Sequence, residues 1–141
     1  DGYLSAIVHD AVSATELSPG AIDLDLSIDD ILLSTRIAVP LGLITNELVT
    51  NSLKYAYKGR DKGTLGLRLI TDKDDVELTI WDDGPGIDES ARVDSGLGQK
   101  LVDSFVQQLG GALSRTSGKD GTRYKLTIAH SEIFRLQEKN I

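Results

Sequence analysis

The sequence predicts an α+β fold: a two-layer sandwich in which about three helices cover one face of a mixed, mostly antiparallel sheet. Three observations lead there. Segments 64–71 and 76–81, and again 112–116 and 122–129, alternate apolar with polar residues and are joined by short turns, which is the pattern of two antiparallel hairpins. Helical periodicity occupies the stretches before and between these hairpins. With 141 residues, 40% of them hydrophobic, the chain can build one core but is too short for two domains.

Taken in order, Tyr3 to Thr15 carries Leu4, Ile7, Val8, Ala11 and Val12 at three-and-four spacing and reads as an amphipathic helix, ended by Ser18-Pro19-Gly20. Ile22, Leu24, Leu26 and Ile28 alternate with Asp23, Asp25 and Ser27, a half-buried strand. Asp29-Asp30 turns the chain, and Ile31 to Leu33 reads as a short second strand. Ser34 or Thr35 caps a long helix running to about Tyr57, which tolerates Pro40 only in or near its first turn. Ile37, Leu41, Ile44 and Leu48 fall within about 60° on the helical wheel and form its core stripe. Glu47, Asn51 and Lys54 line a neighbouring face. An acid, an amide and a base on consecutive turns suit a cation site, and suit solvated surface equally.

Residues 58–63 form a loop before the first hairpin. After it comes Asp82-Asp83-Gly84-Pro85-Gly86-Ile87, where glycines remove side-chain bulk and admit the close approach of a planar ligand. Asp82, at a strand end, is suited to accept from an exocyclic amine; a plain turn has the same residues. Residues 88–95 are polar and acidic, as expected of a loop. Gly96-Leu97-Gly98 opens a helix with Leu101, Val102, Phe105, Val106 and Leu109 on its apolar side, and such an entry offers unpaired N–H groups to a phosphate. Gly110-Gly111 ends it. Tyr124, Leu126 and Ile128 alternate in the last hairpin, and the tail from Ser131 reads as a short helix presenting Ile133, Phe134 and Leu136.

A formal net charge of -7 argues against a nucleic-acid or anionic-membrane surface. The absence of Cys excludes disulfides and thiolate metal sites and fits a reducing, cytoplasmic setting. No apolar run approaches the roughly 20 residues of a spanning helix. The chain starts at Asp1 and contains no Met, so it reads as an excised piece of a longer protein.

Four motifs lie in order on these elements: N-E-L-V-T-N-S-L-K-Y-A on the long helix, D-D-G-P-G-I after a hairpin, G-L-G-Q-K-L-V opening a helix, and G-T-R-Y-K-L-T-I on a late strand. The set resembles the Bergerat-type ATP-binding fold of sensor histidine kinases, type II topoisomerases and heat-shock chaperones. It is most similar to the catalytic domain of histidine kinases, over nearly the whole chain as a single domain with residues 131–141 as a C-terminal tail. The resemblance implies ATP and Mg2+ as ligands. Asn51 would offer its amide oxygen to Mg2+, and Glu47 would orient a metal-bound water, making these two the catalytic candidates. Lys54, Tyr55 and Lys100 would approach phosphates or ribose. Asp82 would accept from the adenine amine beside Gly84, Gly86 and Ile87. Gly96, Leu97 and Gly98 would admit the phosphates, and Thr122 would complete the adenine end. Glu47, Asn51, Asp82, Gly86, Gly98 and Thr122 are thus expected to line one pocket, while Asn46 is structural.

Some residues depart from the family pattern. Asp83 stands where Asn is common, Gln99 where an apolar residue is usual, and the nine residues 87–95 leave a short, acidic lid with no phenylalanine box. The histidines are His9 and His130, and neither lies on a recognisable dimerisation helix. The acceptor histidine is therefore expected on a separate dimerisation domain preceding Asp1, with a response regulator downstream and no nucleic acid or direct membrane contact. A serine kinase of the anti-sigma type and a degenerate nucleotide-binding or docking module are the alternatives. A topoisomerase-like ATPase, which needs a following domain, fits least.

Overall fold

The computed structural model describes residues 2–14, 22–55, 62–73, 75–84 and 96–138. In chain order these form α1 (Gly2–Ser13), β1 (Ile22–Ile28), α2 (Thr35–Tyr55), β2 (Gly63–Asp72), β3 (Asp75–Asp82), α3 (Gly96–Leu109), β4 (Ala112–Gly118), β5 (Gly121–Ile128) and α4 (His130–Glu138). The strands make one sheet in the order β1-β2-β3-β5-β4. β1 and β2 pair in parallel, as the crossover through α2 permits, and the remaining neighbours are antiparallel.

Alternation decides which face is covered. The rows Leu65–Asp82–Thr122, Leu67–Ile80–Tyr124 and Leu69–Leu78–Leu126 run across β2, β3 and β5 and are all buried under the helices. The opposite face carries Arg68, Thr79 and Lys125, with Lys125 paired to Glu77 at 2.8 Å. Gly66 lies beneath Trp81, whose ring occupies the space a Cβ would need, and the Arg123 guanidinium lies over that ring at 5.3 Å from its centroid. Ile37, Leu41, Ile44 and Leu48 of α2 are all buried as the periodicity predicts, and join Leu4 and Val8 of α1 in a single core. Thr45 is admitted to that core because its hydroxyl donates to the Leu41 carbonyl at 2.8 Å.

The structure corrects several local expectations. Residues 31–33 form no strand, because the parallel partner of β1 is β2 and the chain after Asp29 moves straight into α2. Pro40, by contrast, lies near the first turn of α2 as expected, two residues beyond Ala38, whose amide donates to the Ser34 carbonyl at 2.8 Å. The ladder bond lost is one to Arg36, near the helix start, so a long helix absorbs it. Leu101 is 42% exposed because it lies one position before the stripe formed by Val102, Phe105, Val106 and Leu109. In α4, Ile133 and Leu136 are buried but Phe134 faces solvent.

Helix ends are closed by specific groups. Gly110, at φ 65°, and Gly111 donate to the carbonyls of Gln107 and Val106, both at 3.0 Å, a left-handed turn that stops α3. The first amide of α4, His130, donates to Asp75 Oδ1 at 2.7 Å, so a carboxylate from the start of β3 caps the last helix.

Candidate functional site

β3 ends at Asp82, and its burial follows from its place in the alternation: it shares the helix-facing row with Leu65 and Thr122. A carboxylate 5% exposed needs hydrogen bonds. Its Oδ1 accepts from the amides of Gly84 at 3.0 Å and Thr122 at 3.3 Å. Both bonds fall on one oxygen, leaving Oδ2 outside them. Thr122 is 3% exposed, and its hydroxyl lies 3.0 Å from that of Ser117 across the β4–β5 hairpin.

Gly121 makes this crossing possible. Its φ is +131°, and a Cβ there would stand 1.9 Å from the Asp82 carbonyl oxygen. Only a residue without a Cβ lets β5 pass so close to the end of β3.

A second group forms where α2 meets α3. Glu47 is half-buried, and its Oε2 lies 2.9 Å from where a Cβ on Gly98 would be. The carboxylate therefore faces the first turn of α3, and a side chain at Gly98 would displace it. Asn51 is half-buried one turn further along α2, while Lys54 and Lys100 are exposed and Asn46 is exposed surface. Tyr55 is the last residue of α2, and Gly96 and Leu97 are the first two of α3. Gly86 and Ile87, with the whole of 85–95, lie outside the described residues. The expected site residues thus fall into two groups, Asp82 with Gly84 and Thr122, and Glu47 with Gly98. They are carried by α2, α3, β3 and β5, and α2 packs against both α3 and β3.

Two of the departures from the expected motif have local roles. Asp83 Oδ1 accepts from the amide of Thr64 at 2.9 Å and ties the end of β3 to the start of β2. Gln99 donates to Asp103 Oδ1 at 2.9 Å along α3. Ser117 was not singled out from the sequence. The signal was present: a hairpin centred on 119–120 places Ser117 opposite Thr122.

The donor set also bears on Mg2+. Among the described residues there is no cluster of three or more His, Cys, Asp or Glu that could cage an ion. What α2 offers is one amide, Asn51, with a carboxylate one turn away. That set fits Mg2+, which takes few protein ligands and completes its octahedron with phosphate oxygens and water.

Comparison with known proteins extends the picture. The chain is 32% identical over 116 residues to blue-light-activated histidine kinase 2 of Erythrobacter litoralis, an alignment covering 80% of this chain and 34% of that protein. It is 32% identical over 105 residues to sensor histidine kinase Hik2 of Thermosynechococcus vestitus, covering 60% of this chain and 26% of the other. The chain therefore spans about a third or less of these two relatives. Among solved structures, the histidine kinase domain of a blue-light-activated histidine kinase from Erythrobacter litoralis superposes with a TM-score of 0.79 at 31% identity, covering 94% of this chain and 64% of that one. Residues 37–132, from the first turns of α2 to the start of α4, match the family described as histidine kinase-, DNA gyrase B- and HSP90-like ATPases. Since that match takes in α2, the sheet from β2 to β5 and the helix between its hairpins, the protein belongs to this ATPase family.

Proposed function

We propose that this chain is the catalytic module of a histidine kinase, binding Mg-ATP and presenting the γ-phosphate to a histidine on a separate dimerisation domain. The observation that carries the reading is the buried Asp82 carboxylate, held on one oxygen by the Gly84 and Thr122 amides. Its other oxygen is left to accept from the adenine amine, with the Thr122 hydroxyl beside it. Gly84 would bring backbone against the base, and the sequence assigns Gly86 and Ile87, which lie outside the described residues, to the same role. Asn51, Glu47, Lys54, Tyr55, Gly96, Leu97, Gly98 and Lys100 form the phosphate end, with helix amides and cations offsetting the anionic charge.

Asn51 would hold Mg2+, which when bound would neutralise phosphate charge. Glu47, whose carboxylate faces Gly98, would accept a hydrogen bond from water at that end. The protein's own contribution is positioning: phosphoryl transfer requires donor and acceptor in line, and positioning lowers barriers by several kcal/mol. We further propose a cytoplasmic setting and a response regulator as the downstream partner; no described helix is long and apolar enough to cross a membrane.

His9 is exposed on α1, with Nδ1 2.8 Å from the Ser5 carbonyl of its own helix. His130 begins α4 at the opposite end of β5 from Thr122. Given Mg-ATP alone, the chain should bind nucleotide without labelling itself. Adding a dimerisation domain from a relative such as the Erythrobacter kinase should yield acid-labile, base-stable label on that domain, since linkage or docking raises the effective concentration of an oriented acceptor. Strong self-labelling that disappears in His9→Ala would contradict the proposal.

A further inference from the structure

Among the described residues the sheet ends on β1 at one side and on β4 at the other, and the two edges are built differently. An edge strand turns every second amide and carbonyl outward, where another extended chain can pair with them, and charges, prolines or bulges are the usual protection. β1 carries exposed Asp23 and Asp25. β4 carries neither a carboxylate nor a proline, and its register with β5 runs unbroken from Ala112 with Thr127 to Gly118 with Gly121, so no bulge turns the edge away.

Charge separates the edges as well. In a chain of net charge -7, the β4–β5 hairpin holds Arg115, Lys119, Arg123 and Lys125 against Asp120 alone. On the open face of the sheet, exposed Ser114 and Thr116 lie opposite Lys125 and Arg123, so only short hydroxyl side chains would stand between an added strand and those cations. On the other side α3 runs beside β4, and a cavity of about 420 Å3 between them is lined by Gln99, Asp103, Leu113, Ser114, Arg115 and Tyr124. Three consecutive β4 residues line it, so it reaches the rim of the sheet.

We infer that the β4 edge is a docking site for an extended, acidic segment of a partner protein, which adds as a strand beyond β4. Successive side chains of such a segment point to opposite faces. One set, carboxylates, stands beside Ser114 and Thr116 in the field of Arg123 and Lys125; the other points toward α3 and places one bulky side chain in the cavity. Backbone pairing supplies affinity, while the cavity and the charges select the segment. A second copy of this chain suits the edge less well. β4 against β4 brings like charges together, and β4 against the acidic β1 of another copy makes an open-ended row of molecules.

The test is NMR titration of the isotope-labelled full chain with a peptide of about ten residues that alternates glutamate with valine, one central valine replaced by tyrosine. Amide shifts should centre on β4, with Gln99 and Asp103 among them. The same peptide with lysine for glutamate should not bind. N-methylating its alternate amides, which keeps the charge but removes the donors facing β4, should weaken binding about tenfold or more. Ser114→Glu combined with Thr116→Glu gives β4 the carboxylates that β1 has, opposite Lys125 and Arg123 where they pair across the strands. Its urea midpoint should be no lower than wild type, while peptide affinity falls about tenfold. No binding of the acidic peptide, or shifts centred on β1 or α2, would overturn the inference. So would equal binding of the N-methylated peptide, which would show a charged patch without strand addition. Self-association of the free chain that the double substitution abolishes would assign the edge to a second copy instead.

Discussion

Replacing Asp82 with Asn should lower ADP affinity by about ten- to a hundredfold while leaving the fold close to wild type. The carbonyl of Asn can still accept from the Gly84 and Thr122 amides, which together hold the end of β3 and the start of β5. What changes is the other position, where an NH2 donor replaces Oδ2 and meets the adenine amine donor to donor. A hydrogen bond to a charged group is worth roughly 1.5–3 kcal/mol, which sets the expected loss. Asp82→Ala should lose affinity to at least the same degree, and should also cost about 1–3 kcal/mol of stability by leaving two buried amides without their acceptor. Calorimetry with ADP, combined with urea denaturation, separates the two effects. Unchanged affinity in the Asn variant would show that Asp82 is purely structural.

The largest effect on folding should come from Gly121→Ala. At φ +131° an L side chain is strained wherever it points, and this one would point at the Asp82 carbonyl, with its Cβ 1.9 Å from the oxygen. Both partners are backbone in paired strands, so relief means opening the β3–β5 ladder. Strain and overpacking at about 1–3 kcal/mol each put the cost at roughly 3 kcal/mol or more. Gly118→Ala is the control: nothing lies within 4 Å of its Cβ, and its midpoint should barely move. Equal urea midpoints for the two variants would show that β5 can shift freely at its start.

Much of this was legible in the sequence, and the rest was not, for identifiable reasons. The α2 stripe and the two hairpins follow from periodicities of 3.6 and 2, which report burial directly. Asp82, Gly84 and Thr122 could be named as site residues because their motifs are ordered along the chain. Their mutual hydrogen bonding could not, because it depends on β3 lying beside β5 rather than β4. The short strand expected at 31–33 failed for a related reason: apolar residues in a row mark burial, not the availability of a neighbouring strand. Pro40 could be placed from the sequence because the lost ladder bond is tolerable only near a helix start, which is where it lies in α2. Ser117 escaped notice because its importance comes from the residue it faces, which local pattern does not display.

The pairing of β3 with β5 joins residues 40 positions apart, and among the described residues it is the sole strand contact between β1-β2-β3 and β5-β4. The proposed adenine contacts sit on that join, one from each side. A nucleotide gripping both then acts as a clasp between the two halves of the chain. At a hundred times its Kd it would add about 2.7 kcal/mol to their cohesion. Co-expressed as two pieces divided between β3 and α3, the protein should reassemble more tightly with ADP present than without it, whereas nucleotide-independent reassembly would place the grip elsewhere. Ligand occupancy would thereby become a reporter of chain continuity, readable as complementation rather than as catalysis.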